Sequence, residues 1–192
     1  TGGAGQFADI EIILEPQERG KGYEFVNAIK GGSVPKEFIP SVDKGIREAL
    51  QSGVLGGYPV VDVKVSLVDG SFHEVDSNTD TFKICGSKGF KAAMKLAKPI
   101  LLEPIMKVPV VTPDDFAGDV TGALSAKRGI IKSMTPKGKV QEITAYVPLG
   151  NMFGWVNSLR SMTKGKANTF MEFSNYEKVP DGLVPGILGV KE

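Results

Sequence analysis

From Phe7 to Glu15 apolar and polar residues alternate, with Ile10, Ile12 and Leu14 on one side and Asp9, Glu11 and Glu15 among the others. That period of two predicts a half-buried strand. The polar turn Gln17-Glu18-Arg19-Gly20-Lys21-Gly22 leads into a second strand, Tyr23 to Ile29, and the two together predict an antiparallel pair. Beyond Gly31 the period changes. Phe38, Ile39, Val42, Ile46, Ala49 and Leu50 recur at helical spacing, with Pro40 in the opening turn and Gly53 past the end. Val61, Val63, Val65 and Leu67 then alternate with Asp62, Lys64 and Ser66, a further strand. Ser77 and Asp80 have the form of a capping box for a helix with the apolar stripe Phe82, Cys85, Ala93, Leu96 and Ala97; Cys85 and Met94 are assigned to the core. Pro99 closes a ββαβα unit.

A second cycle starts at Glu103 with a strand to Val111. Thr112-Pro113-Asp114-Asp115 supplies a cap, a first-turn proline and acids for a helix with Phe116, Val120 and Leu124 on its apolar face and Gly129 as its stop. Ile130–Met134 and Val140–Val147 read as a hairpin around Thr135-Pro136-Lys137-Gly138. Met152, Phe153, Val156 and Leu159 form the next helix, and Thr169–Phe173 the last strand. Trp155 fits either core or surface. The order is βαββαβ, the split ferredoxin-like pattern, so the chain is expected to be α+β with a Gly- and Pro-containing, loosely held tail from Asp181 to Glu192.

Composition narrows the chemistry. The 192 residues, 41% hydrophobic and 23% charged, suit two small domains, and no apolar run is long enough for a membrane span. Cys85 is the only cysteine and His73 the only histidine, which leaves little material for a disulfide, a cysteine zinc site or a nucleophilic triad. No GxxxxGK[ST] loop is present, so no nucleotide-cradling machinery is expected. Thr1-Gly2-Gly3-Ala4-Gly5 carries neither an initiator Met nor a signal-peptide profile, and the chain reads as a fragment beginning mid-protein. The net charge is +1, yet Val120–Met171 holds eight cations (Lys127, Arg128, Lys132, Lys137, Lys139, Arg160, Lys164 and Lys166) against the single acid Glu142. This set is either a positive field that steers toward phosphate or a scatter of solvated lysines, and composition leaves both open. The cations Arg160 to Lys166 also suit a helix C-terminus on dipole grounds alone.

Two loops carry the candidate chemistry. Gly31-Gly32-Ser33-Val34-Pro35-Lys36-Glu37-Phe38-Ile39-Pro40 and Asp69-Gly70-Ser71-Phe72-His73-Glu74-Val75-Asp76 each join a strand pattern to a helix pattern, where unpaired N–H groups and the helix dipole favour anions. Side by side they would form a phosphate-seeking tip. Gly31 and Gly32 are either ordinary turn glycines or residues that let backbone approach a nucleic acid strand. His73 is either a solvated turn residue or a group that hydrogen-bonds and stacks on RNA. The second unit lacks a run of aromatics on its central strands, so any RNA contact there is expected from loops and helix ends.

Gly2-Gly3-x-Gly5-Gln6, Gly22-Tyr23-Glu24-Phe25, Gly57-Tyr58-Pro59-Val60-Val61-Asp62-Val63, Leu102-Glu103-Pro104-Ile105-Met106-Lys107-Val108, Val147-Pro148-Leu149 and Met152-Phe153-Gly154 form a colinear set that resembles the C-terminal part of elongation factor G. The resemblance implies a domain similar to domain IV over residues 1–101, with a fold like the second domain of ribosomal protein S5. It implies a ferredoxin-like domain similar to domain V over 102–178, and a tail over 179–192. It further implies a non-catalytic, monomeric arm of a translational GTPase that promotes tRNA–mRNA translocation. Residues Gly31 to Pro35 and Ser71 to Glu74 would enter the decoding region beside tRNA and messenger. Lys127, Arg128, Arg160, Lys164 and Lys166 would face ribosomal RNA near the stalk base, where stalk-base proteins would be further partners. GTP and Mg would belong to a G domain outside this sequence, with no cofactor or metal held here. Ala4, where many bacterial members have Arg, and Phe7-Ala8-Asp9 look more like plastid-type factors, so both a bacterial cytoplasm and an organelle stroma are open. A stand-alone RNA-binding module and a ribosome-recycling or ribosome-protection paralogue are the alternatives.

Overall fold

The computed structural model describes residues 5–189; Gly2, Gly3 and Ala4 of the N-terminal motif, and residues 190–192 of the tail, lie outside that range. The chain divides into two compact units, Thr1–Ile100 with Leu188–Glu192, and Leu101–Ile187.

In the first unit the elements run β1 (Asp9–Pro16), β2 (Tyr23–Asn27), α1 (Ile39–Ser52), β3 (Val63–Ser71) and α2 (Thr79–Leu96). The sheet order is β1-β3-β2, with β3 antiparallel to β1 and parallel to β2. The expected β1–β2 hairpin is therefore corrected. β3 inserts between the two: its backbone pairs with both neighbours, and its buried Val63, Val65 and Leu67 suit a central rather than an edge strand. Ile10, Ile12 and Leu14 of β1 pack with these residues under both helices.

The stripe of α1 is as its periodicity predicts, with Val42 and Ile46 fully buried. That of α2 differs. Phe82, Gly86, Phe90 and Met94 are buried at strict spacing of four, Cys85 is half-buried, and Leu96 and Ala97 are exposed, Leu96 at 84%. The N-cap is Asn78, whose Oδ1 accepts from Thr81 N–H at 2.9 Å, one residue beyond the expected Ser77. The two helices cross very closely at Gly45 and Gly86. A Cβ on Gly86 would stand 2.5 Å from the Val42 carbonyl oxygen, and one on Gly45 would collide with the carbonyl of Lys83. Next to that crossing Phe38 stacks on Phe82, with ring centroids 4.9 Å apart.

The second unit contains β4 (Leu102–Pro113), α3 (Ala117–Ala126), β5 (Ile130–Lys137), β6 (Val140–Pro148), α4 (Trp155–Met162), β7 (Asn168–Thr169) and β8 (Glu172–Lys178), followed by a short α5 (Val184–Leu188). Its order β5-β6-β4 with β7 and β8 on the far side of β4 is the ferredoxin-like arrangement. Val108, Val110, Ile143, Ala145 and Val147 meet Val120, Leu124, Trp155 and Leu159 from the helices. Full burial of one such aliphatic side chain contributes roughly 1.5–3 kcal/mol.

Four local expectations are revised here. Thr112 and Pro113 still belong to β4, and a 3-10 turn at Asp114–Phe116 opens α3 without a side-chain cap, so Thr112 is buried strand rather than cap. At the other end of α3, Arg128 rather than Gly129 adopts the left-handed conformation (φ +63°), and Gly129 N–H closes on Leu124 O at 2.9 Å. On α4, Phe153 and Val156 point to solvent at 82% and 41% exposure while Trp155 is buried, which places it in the core. The tail is partly ordered: Val179 is buried and residues 181–188 form helical turns.

Candidate nucleic-acid interface

The first loop lies between β2 and α1. Gly31 and Gly32 are exposed with φ of +70° and +74°, and neither has an atom within 4 Å of a notional Cβ. They are needed for backbone conformation, and their outer side is open. Val34 is only 1% exposed, so its expected RNA contact is corrected: it is the apolar plug that holds the loop down. Its Cγ2 lies against Gly70 of β3, 2.7 Å from where a Cβ would stand. Ser33 and Pro35 are half-buried. The Asp69 carboxyl is held below the ordinary carboxylate range, first by the neighbouring Ser33 hydroxyl and then by Gly70 N–H at 2.9 Å. Ser33 Oγ is itself buried outside good hydrogen-bond geometry with any group, so this first contact is proximity more than a formed bond. Through Val34 and Ser33 the first loop thus touches the end of β3, from which the second loop departs.

Ser71 remains paired with Asp9 and donates its hydroxyl to Asp9 Oδ2 at 3.0 Å, so it belongs to the base of the tip. Phe72, His73, Glu74 and Val75 form the exposed turn, Val75 at 72%. The turn is tied from within. His73 N–H donates to Ser77 Oγ (2.9 Å), Ser77 N–H returns to His73 O (2.9 Å), and Ser77 Oγ donates to Phe7 O (2.7 Å). Phe7 N–H donates to Asp76 O and Gly5 N–H to Asp76 Oδ1, and the Phe7 ring meets the His73 ring edge-on at 6.5 Å. His73 Nδ1 sits 3.4 Å from Val75 N–H and 3.3 Å from Asp76 Oδ2. It accepts the first when unprotonated and donates to the second when it carries the proton. Either way Nδ1 is engaged inside the loop, and Nε2 has no partner among the described residues. Val75 and Asp76 belong to the loop legible in the sequence, but the organising roles of Phe7, Asp76 and Ser77 carry no signal there: Phe7 reads as part of a strand and Ser77 as a helix cap.

The helix starts do less than expected. That of α2 is already satisfied by the Asn78 side chain and carries Asp80 in its first turn, and that of α1 opens on buried Phe38 and Ile39. Anion binding by bare helix N-termini is therefore set aside, and the residues the tip presents outward are Gly31, Gly32, Phe72, His73, Glu74 and Val75.

In the second unit the five candidate cations separate into two groups. Arg128 forms a bidentate pair with Glu103 (3.1 and 2.6 Å), which holds the guanidinium charged, and Lys127 Nζ donates to Asn151 O at 3.1 Å. Both are committed within the fold. Glu103→Gln is expected to cost about 1 kcal/mol of stability, read by urea denaturation, since a bidentate, partly buried pair exceeds ordinary surface pairs. Arg160, Lys164 and Lys166 are exposed and without a charge partner among the described residues. Lys164 turns the chain after α4 at φ +52°, and Gly165 N–H closes on Arg160 O.

Two family models match in order along the chain: Elongation factor G, domain IV, over residues 1–98, and Elongation factor G C-terminus over residues 100–185. The chain belongs to the elongation factor G family. An elongation factor G from Aquifex pyrophilus is 53% identical over 189 residues, 98% of this chain and 27% of that protein. A solved structure from Thermus thermophilus superposes with a TM-score of 0.88 at 39% identity, covering 98% of this chain and 28% of that one. The elongation factor G sequence in hand thus spans roughly a quarter of the length of these relatives.

Proposed function

We propose that this chain is the ribosome-contacting, non-catalytic arm of a translational GTPase that promotes movement of tRNA and messenger. The observation that carries the reading is the colinear pair of elongation factor G matches, joined by 53% identity across nearly the whole chain. The mechanism is placement. The tip of the first unit occupies space beside the tRNA–messenger duplex and blocks its return, with Nε2 of His73 and the Phe72 and Val75 side chains facing outward, while Arg160, Lys164 and Lys166 hold ribosomal RNA phosphate.

The residues present do not fit GTP with its Mg ion. No phosphate loop of the GxxxxGK[ST] form occurs in the 192 residues. Nucleotide chemistry is therefore assigned to another part of the parent protein. No described helix is long and apolar enough to cross a membrane, and the arm works in whichever translating compartment holds its ribosomes, bacterial cytoplasm or organelle stroma.

Ribosome binding tests the reading. Binding of the 192-residue chain to ribosomes should weaken steeply with salt, because each neutralised phosphate releases counterions. Replacing Arg160, Lys164 and Lys166 together by Ala should flatten the log–log slope by about 2 to 3. An unchanged slope assigns these cations to solvated surface, and binding to free RNA without binding to ribosomes would support a stand-alone module instead.

A further inference from the structure

Between Asp80 and Glu103 the sequence holds five lysines and no acid. On α2 they fall into register. Ile84, Lys88, Lys91 and Lys95 lie on the exposed side, opposite the buried Phe82, Gly86, Phe90 and Met94. A rise of 1.5 Å per residue strings Lys88 to Lys95 over about 10 Å of helix axis. Lys83, at the margin, is neutralised by Glu48 at 2.9 Å. Lys88, Lys91 and Lys95 have no charge partner among the described residues, although acids are plentiful elsewhere in this unit. Asp80 and Glu48 lie along the same shallow groove as Lys88 and Lys91, toward its α2 N-terminal side and its α1 wall.

We propose that this lysine row is a second RNA-binding face, and that it tracks the phosphate backbone of a double-stranded RNA lying alongside the shaft of the first unit. A duplex fits better than a single strand. Unpaired RNA is held by stacking its bases on aromatic side chains, and the row presents none, only Ile84 and lysines. Duplex RNA offers phosphates and hidden bases, and flexible ammonium groups on a straight helix meet that need without sequence preference. The row begins a few turns past the start of α2, behind the His73 loop. A tip inserted among RNA would therefore bring the row against whatever helix flanks the insertion. The inference goes beyond the tip-centred reading: the choice of face stands on charge and register, and the nearness of an RNA duplex to it rests on that reading.

The test uses the 192-residue chain, a fluorescein-labelled RNA hairpin with a perfect stem, and an unstructured RNA strand of equal length, with affinities measured from about 50 to 200 mM salt. Three phosphate contacts predict that K88Q/K91Q/K95Q loses the preference for the hairpin and has a salt slope shallower by about 2.7, so that the parent weakens about 40-fold more than the variant over that range. A control triple, K21Q/K64Q/K178Q, removes the same charge from lysines that pair with Glu18, Glu15 and Asp181 and should leave the slope unchanged. Circular dichroism should show all three proteins equally folded: Lys→Gln on the exposed face of α2 changes helix propensity little, and Lys21, Lys64 and Lys178 lie in a turn and in strands where their ion pairs are largely solvent-exposed. An equal effect of the control triple, an unchanged slope in the α2 triple, or parental binding that favours the single strand would each overturn the proposal. None of these outcomes bears on ribosome binding through Arg160, Lys164 and Lys166, which is tested separately.

Discussion

Gly45→Ala and Gly86→Ala should each destabilise the first unit by about 2 kcal/mol, and the double variant should fold poorly. A methyl group at either position meets the backbone carbonyl of the facing helix, not the far end of a side chain. The helices can relieve that only by separating, which opens the packing of Val42, Ile46, Phe82 and Phe90. Overpacking costs typically about 1–3 kcal/mol and occasionally more, and a clash of backbone against backbone belongs at the upper end, so the gain of roughly 1 kcal/mol from replacing glycine within a helix offsets only part of it. For a domain of this size, about 2 kcal/mol corresponds to a fall of roughly 8–16 °C in melting midpoint, measurable by far-ultraviolet circular dichroism. Gly118→Ala in α3 is the control: a Cβ there meets nothing within 4 Å, so the helix should be unchanged or gain stability. Equal midpoints for all three single variants would mean that α1 and α2 do not approach as described.

Periodicity makes the elements legible and leaves their partners obscure. Alternation from Phe7 to Glu15 marks a strand, but nothing local to β1 or β2 says that β3, far along the chain, lies between them. The two helix glycines carry the same lesson: read along one helix each only lowers helix propensity, and its reason appears when the other helix is in place. At the tip, the loops are legible from their Gly-rich strand-to-helix composition. Which residues face out is not. Val34 sits between Ser33 and Pro35 in a polar-looking turn yet is buried, because Gly70 leaves a gap on β3 that a valine fills. Arg128 reads as a free cation until Glu103, 25 residues earlier in sequence, is placed beside it. The α2 lysines give no signal along the chain because charges spaced on a helix are the normal dress of a solvated face, and only the buried stripe reveals that three of them share one unneutralised side.

His73→Ala, placed in the full-length parent, should slow single-round translocation by about ten- to hundredfold while ribosome-stimulated GTP hydrolysis stays near the parental rate. Losing a hydrogen bond or contact at a desolvated interface costs roughly 1–3 kcal/mol, and each step of about 1.36 kcal/mol is tenfold in a rate that depends on it. The loop's internal bonding makes a sharper version of the test possible. Nδ1 of His73 is turned inward to Val75 N–H and Asp76, so alanine removes both an internal tie and the outward Nε2. His73→Asn restores a polar atom near the position of Nδ1 but offers nothing where Nε2 stood. If the outward edge of the ring meets RNA, the asparagine variant should be as slow as the alanine variant. If the histidine serves only to shape the turn, asparagine should recover most of the rate. Folding should be little affected in either, since the side chain is 59% exposed and packs only edge-on against Phe7. Translocation at the parental rate with alanine at position 73, and again with Gly31 and Gly32 replaced, would remove this tip from the mechanism and leave the arm's work to its basic surfaces.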